Sequence, residues 1–226
     1  MKILALDIGG TNLKYASFDE QFRIAEEGET LCHATEGAAR LLERVYSVCD
    51  GKEFGLLGVS TAGIVAEDGS IGYANENIPE YTGIKLKDIL ERRYGVSVFV
   101  LNDVSAGAMA EIEDGESFYY LSLGTGVGGI MIENGLPLNG ADGIAGQIGY
   151  LPSLKGNDII DKAASTAGLC RVGGESAEKL FERAASGDGK AERAIEEWAK
   201  EVMNVVAFII GFYNPPRIVI GGGISR

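Results

Sequence analysis

Four glycines in eight residues, Ser122-Leu-Gly-Thr-Gly-Val-Gly-Gly129, leave the backbone few ways to run. The β-favouring stretch Phe118-Tyr-Tyr-Leu-Ser-Leu123 leads in, and Ile130-Met-Ile132 resumes strand character before Asn134-Gly135, a hairpin signal. The glycines therefore turn one strand back on the next. Backbone N–H groups at such a bend point into one small space, which suits phosphate oxygens. Gly124, Gly126 and Gly129 satisfy G-x-G-x-x-G, but a dinucleotide site needs a helix after the loop, and here a strand follows. A glycine hairpin that binds nothing is the other reading open for this stretch taken alone.

The start of the chain repeats the pattern. Lys2-Ile-Leu-Ala-Leu-Asp7 is followed by Ile8-Gly9-Gly10-Thr11, and residues 12–18 then alternate like a strand. This is again strand, glycine turn, strand, now with a carboxylate ending the first strand. Two such hairpins imply two related lobes, each offering a phosphate cradle, and make nucleotide binding the leading idea.

Charge restricts how a nucleotide is held. The net charge of −13 argues against nucleic acid or anionic membrane as partners, so N–H groups and a metal ion must hold any nucleotide. At 226 residues, with 46% hydrophobic and 23% charged, the chain has ample core for one large domain or two small ones. Cys32, Cys49 and Cys170 are scattered without C-x-x-C spacing, which indicates neither disulfides nor a zinc site but small buried hydrophobes in a reducing compartment. No signal peptide opens the chain and no apolar run is long enough to span a membrane, so a cytoplasmic protein is expected. His33, the only histidine, is expected in a solvated turn, and its isolation removes Ser-His-Asp and Cys-His nucleophile schemes.

In chain order, residues 23–29 read as a third strand, and Thr35 as the cap of a helix burying Ala38, Leu41, Leu42, Val45 and Val48. Residues 54–60 read as a strand, Asn75-Glu-Asn77-Ile78-Pro79 as a polar loop, and residues 86–94 as a helix stopped by Gly95. The apolar strand 96–101 runs into Asn102-Asp103, with a helix over 105–111. Ligands of α/β sheets gather at the carboxyl ends of strands, where Asp7 and Asp103 both fall. Asp103 is open to two readings, a helix cap or a carboxylate facing the ligand. Small residues recur from Gly140 to Gly149, where backbone must approach something closely. Helices follow over 158–169, 177–186 and 191–213, then a strand at 217–220 and Gly221-Gly222-Gly223. A helix is expected after these glycines, so the chain reads as truncated.

Asp7-Ile-Gly-Gly-Thr11 with Lys14, Leu101-Asn-Asp103, Leu123-Gly-Thr-Gly-Val-Gly-Gly129, the stretch from Gly143 to Tyr150 and Ile218-Val-Ile-Gly-Gly-Gly223 together resemble the ROK family of sugar kinases and sugar-responsive repressors. The resemblance covers the chain in order. It implies an α/β, two-lobed actin/hexokinase-like (ribonuclease H-like) ATPase fold, with lobes over 1–114 and 115–226 around a cleft and a homodimer as the usual assembly. It further implies an ATP-dependent kinase that phosphorylates a hexose hydroxyl, usually the one on C6. By position, Asp103 is the catalytic base, Asn102 and Asn77 bind sugar hydroxyls, and Asp7 helps hold Mg²⁺. Gly9, Gly10 and Thr11 face the transferred phosphate, Gly124, Thr125 and Gly126 the nucleotide phosphates, and Gly221, Gly222 and Gly223 the adenosine. Lys14 fits the motif and fits a solvated lysine equally.

Three features depart from the common family pattern. Gln147-Ile-Gly-Tyr150 stands where many members have Glu-x-Gly-His, whose two polar residues touch the sugar. Tyr150 and the missing cysteine cluster resemble a zinc-free branch that includes β-glucoside and N-acetylmannosamine kinases, so no zinc is expected. The helices that usually follow the last glycine turn are not in the sequence. A non-catalytic sugar- or nucleotide-binding homologue is the second reading. A DNA-binding regulator is disfavoured by the charge and by a first strand that begins at Ile3.

Overall fold

A computed structural model describes residues 1–141, 143–154 and 156–225; Asp142, in the small-residue stretch singled out above, lies outside them. The chain divides into two compact units, Met1–Ala106 and Gly107–Arg226.

The first unit is built on a five-stranded sheet. Strands β1 (Ile3–Ile8), β2 (Asn12–Phe18) and β3 (Ile24–Leu31) form an antiparallel meander. After helix α1 (Ala38–Cys49), β4 (Leu56–Thr61) pairs parallel to β1. The short hairpin of β5 (Ile64–Val65) and β6 (Ile71–Tyr73) and helix α2 (Leu86–Tyr94) lead to β7 (Ser97–Asn102), parallel to β4. The order is β3-β2-β1-β4-β7.

Period-two alternation sorts the sheet's faces. Leu4, Leu6 and Ile8 of β1, Leu57 and Val59 of β4, and Val98 and Val100 of β7 share one core with Leu41 and Val45 of α1 and Leu86 and Leu90 of α2. Each such leucine or valine contributes about 1.5–3 kcal/mol by leaving water. The intervening positions, Asp7 and Ser60 among them, therefore stand on the other face.

One expectation fails here and one holds in part. Thr35 does not cap α1: it lies in a 3-10 turn, and Gly37 (φ 101°) precedes the helix with no side-chain cap. The first helical N–H is instead satisfied from a distant loop, Ala38 N donating to the Pro79 carbonyl at 2.9 Å. His33 does lie in a turn, in the left-handed region at φ 54°, but is only partly solvated. It is half-buried, with Nδ1 2.5 Å from Glu36 Oε1 and Nε2 3.2 Å from the Arg44 guanidinium. By contrast α2 ends where the sequence indicates, with Gly95 in the left-handed region at φ 66°.

The second unit opens within helix α3 (Asp103–Ala110), which runs across the division. Its sheet has the order β10-β9-β8-β11. Strands β8 (Phe118–Leu123) and β9 (Val127–Glu133) form the glycine hairpin, and the Asn134-Gly135 turn (φ 52° and 76°) leads to β10 (Leu136–Pro137). The helix expected over 158–169 is two pieces, α4 (Ile160–Ala163) and α5 (Thr166–Gly173). Ser165 breaks it by taking extended φ/ψ and accepting from Gly168 N, an N-cap that stops one helix and starts another. Helix α6 (Ala177–Ala185) follows, then α7 (Gly189–Tyr213), which buries Trp198, Val205 and Ile209. Asn214 in the left-handed region ends α7 before Pro215-Pro216, and β11 (Ile218–Gly221) pairs parallel to β8. No helix among the described residues is long and apolar enough to cross a membrane.

Candidate active site

In the first unit the candidate side chains come from the carboxyl ends of three adjacent parallel strands. Register aligns Asp7 of β1 with Ser60 of β4, and Thr61 of β4 with Asn102 of β7. Ser60 Oγ donates to Asp7 Oδ1 at 3.0 Å. One oxygen of Asp7 is thereby held.

Asp103 follows β7 directly, as the first residue of α3. The cap is Asn102, whose Oδ1 accepts from Val104 N at 2.9 Å and Ser105 N at 3.3 Å. Its Nδ2 donates to the Gly63 carbonyl at 2.7 Å and to Asp103 Oδ1 at 2.9 Å. Of the two readings open for Asp103, the cap thus belongs to its neighbour. Asp103 Oδ1 also accepts from Val104 N at 3.0 Å, and no hydrogen bond among the described residues engages Oδ2. Surrounding protein raises the Asp103 carboxyl above its ordinary pKa, and the charge of Asp7 raises it further; the donors Val104 and Asn102 oppose the shift. The residue still meets solvent, so the group is crowded without being sealed off.

The turn between β1 and β2 is closed by Gly9 N donating to the Asn12 carbonyl at 2.9 Å. Cys32 braces it from both ends: its N–H donates to the Thr11 carbonyl at 2.9 Å and its thiol to the Gly9 carbonyl at 3.2 Å. The N–H groups of Gly10 and Thr11 take no partner among the described residues, and a Cβ on Gly10 would meet nothing within 4 Å. Asn77 stands exposed on the loop held by buried Ile78 and by Tyr81, whose hydroxyl lies 3.0 Å from Thr61 Oγ1. Its N–H donates to Asn75 Oδ1 at 3.1 Å, and no described hydrogen bond joins it to Asn102 or Asp103.

In the second unit the two glycine stretches come together. Parallel pairing sets Gly221 against Ser122, and a Cβ on Gly124 would lie 3.8 Å from Gly223 N. A Cβ on Gly222, at φ 96°, would sit 2.3 Å from the Leu123 carbonyl oxygen, so only glycine allows β11 to turn there. Gly124 N donates to the Gly126 carbonyl at 2.9 Å, and Thr166 N to the Gly124 carbonyl at 2.8 Å. Thr125 is exposed; the N–H groups of Thr125 and Gly126 take no partner among the described residues. Gln147 precedes the 3-10 turn Ile148–Tyr150 and Tyr150 ends it, Gln147 half-buried and Tyr150 exposed.

Sequence reasoning missed three supporting residues. Ser60 fastens Asp7, and Cys32 fastens the first glycine turn. Asp161 Oδ1 accepts Val127 N at 2.7 Å and fastens the second turn. Only Ser60 carried a local signal, a polar position near the end of an apolar strand. Asp161 and Cys32 are distant in sequence from what they hold.

Parallel strands with helices, acids at strand ends and a glycine hairpin in each unit define an α/β protein of the actin/hexokinase-like fold. The chain belongs to the ROK family, whose model matches residues 3–226. An uncharacterised protein of Clostridium perfringens is 32% identical over 237 residues, which cover 97% of this chain and 80% of that protein. A glucokinase of Thermotoga maritima is 26% identical over 263 residues, 100% of this chain and 83% of that protein. A ROK family protein of Streptococcus pneumoniae, solved in complex with sucrose, matches with a TM-score of 0.86 at 26% identity, covering 100% of this chain and 81% of that one. The chain is thus a homologue of ROK sugar kinases.

Proposed function

We propose that the protein is an ATP-dependent sugar kinase, moving the γ-phosphoryl group of ATP to a hydroxyl of a hexose or hexose derivative. The observation that carries this reading is Asp103: a carboxylate at the end of β7, steered by Asn102, made more basic by crowding and by Asp7, with Oδ2 unengaged. A general base must reach the attacking hydroxyl and have a pKa near enough to the operating range to take its proton. Phosphoryl transfer asks little other covalent chemistry of protein; positioning and dispersal of charge do most of it. The free N–H groups of Gly10 and Thr11 suit the transferred phosphate, and those of Thr125 and Gly126 the nucleotide phosphates. Gly221, Gly222 and Gly223 suit close approach of adenosine. Asn77, Gln147 and Tyr150 supply polar groups for sugar hydroxyls; Asn102, with both ends of its amide engaged, serves the sugar by orienting Asp103.

The donor set fits Mg²⁺ that arrives with its nucleotide. Among the described residues no group of three His, Cys, Asp or Glu could hold a metal by itself. Mg²⁺ is ordinarily held through one or two carboxylates, waters and phosphate oxygens, and Asp7 provides such a carboxylate. When bound, the ion neutralises phosphate charge.

The test is ADP release from Mg·ATP against glucose, N-acetylmannosamine, N-acetylglucosamine, mannose, fructose and cellobiose. Turnover on one sugar, falling about 10²-fold or more in Asp103→Asn, is the expected result for loss of a general base. Silence across the panel from folded protein that binds ATP and sugar would transfer the assignment to the non-catalytic reading.

A further inference from the structure

The second unit holds a pocket of about 360 Å³ lined by residues of α5, α7 and the turn that Ser153 N closes by donating to the Asp158 carbonyl at 2.9 Å. A water takes about 30 Å³, and small-molecule sites begin at about 300 Å³. The deepest polar groups of this pocket are acceptors without a cation. Ser153 is only 6% exposed, and its Oγ has no hydrogen-bond partner. Glu201 of α7 is 8% exposed; its Oε2 accepts from Leu154 N at 2.8 Å, and no ion pair among the described residues reaches it. A buried carboxylate is costly unless positive charge answers it. The basic groups nearby are committed elsewhere. Arg171 lies 3.6 Å from Asp158 Oδ2 and donates to the Lys162 carbonyl at 2.9 Å, while Lys162 lies 3.9 Å from Asp158 Oδ1. Trp198, three positions before Glu201 and so on the same side of α7, lines the pocket too. Its indole N–H is spent on the Ala164 and Ser165 carbonyls at 2.9 and 3.0 Å, which leaves ring carbon for an occupant to touch.

We infer that this pocket binds a small organic ammonium ion, whose N–H groups donate to the Glu201 carboxylate and Ser153 Oγ while its carbon chain lies against Trp198. An ammonium offers three donors and no acceptor, the complement of a carboxylate beside an unpartnered hydroxyl. An aromatic ring next to the acid adds cation–π attraction. A divalent metal is the poorer occupant, since among the described residues no group of three His, Cys, Asp or Glu could hold one. A neutral polyol would leave the buried charge unanswered. All of these residues belong to the second unit, and none takes part in the kinase reading.

Trp198 is the chain's only tryptophan, so its fluorescence reads the pocket directly. The experiment titrates 1,4-diaminobutane, and 1,4-butanediol as its uncharged counterpart, into wild type, Glu201→Gln, Ser153→Ala and Glu196→Gln at about 0.15 M salt. Wild type should give a saturable change with the diamine below about 10 mM and none with the diol. Glu201→Gln keeps an acceptor for Leu154 N but loses the charge, and should weaken the diamine about tenfold or more. Ser153→Ala should weaken it about threefold to tenfold. Glu196 is an exposed acid of the same helix that does not line the pocket, and Glu196→Gln should leave affinity within about twofold. No saturable response in wild type, or an equal response to the diol, overturns the inference. So does equal weakening in Glu196→Gln and Glu201→Gln, because bulk negative charge would then account for the binding. If Glu201→Gln fails to fold, Ser153→Ala decides: unchanged affinity removes the site.

Discussion

Asp103 gains its properties from immediate neighbours, and its predictions are local. Its carboxyl is raised because the ionised form is disfavoured by crowding and by Asp7. Asp7→Asn is therefore expected to lower the Asp103 pKa, read by carboxyl NMR titration, which needs no catalysis. The same shift has a consequence for stability. A carboxyl with a folded pKa above its unfolded value weakens folding once ionised. That cost is absent below the ordinary carboxylate range and complete above the folded value. Asp103→Asn should accordingly melt slightly above wild type at neutral pH, the difference closing as the pH falls through the carboxylate range. Asn102→Ala removes the α3 cap and should cost about 1 kcal/mol in urea unfolding. Asp7 and Asp103 were legible as acids ending apolar strands. That Asn102 caps and Asp103 does not was illegible, because the two share a type preference at helix starts and only backbone direction separates them.

The elements follow the same division. Helix α1 was legible from its apolar spacing, and Leu41→Ala at its buried face should cost about 2–5 kcal/mol by leaving a cavity. Its start was not legible, since the Pro79 carbonyl that satisfies Ala38 N–H lies some forty residues away. The break between α4 and α5 was written in Ser165, but a continuous apolar pattern hid it. The glycine turn after β11 has a sharper dependence. Gly222→Ala forces a Cβ into the Leu123 carbonyl from a positive φ. We expect a loss of about 1–3 kcal/mol from backbone strain, with added cost from the clash. Denaturant titration monitored by Trp198 fluorescence would read it, and an unchanged midpoint would show that β11 can shift.

At the scale of the whole molecule, the proposed function asks an acidic chain to accept an acidic ligand. With a net charge of −13, ATP without divalent cation meets repulsion that salt screens. Chelating Mg²⁺ should therefore weaken ATP binding, and raising salt should partly restore the metal-free affinity; a fall with salt would show that local cations outweigh the net charge. The sequence by itself determined the two strand–glycine–strand hairpins, the α/β class and the family, because alternation, glycines between strands and acids at strand ends are local features. Tertiary structure decided which groups hold those features in place. Ser60 on Asp7, Cys32 on the first turn and Asp161 on the second meet their partners across 53, 23 and 34 residues of chain. Contacts at that separation depend on which strands and helices become neighbours, and nothing in the local spacing encodes that.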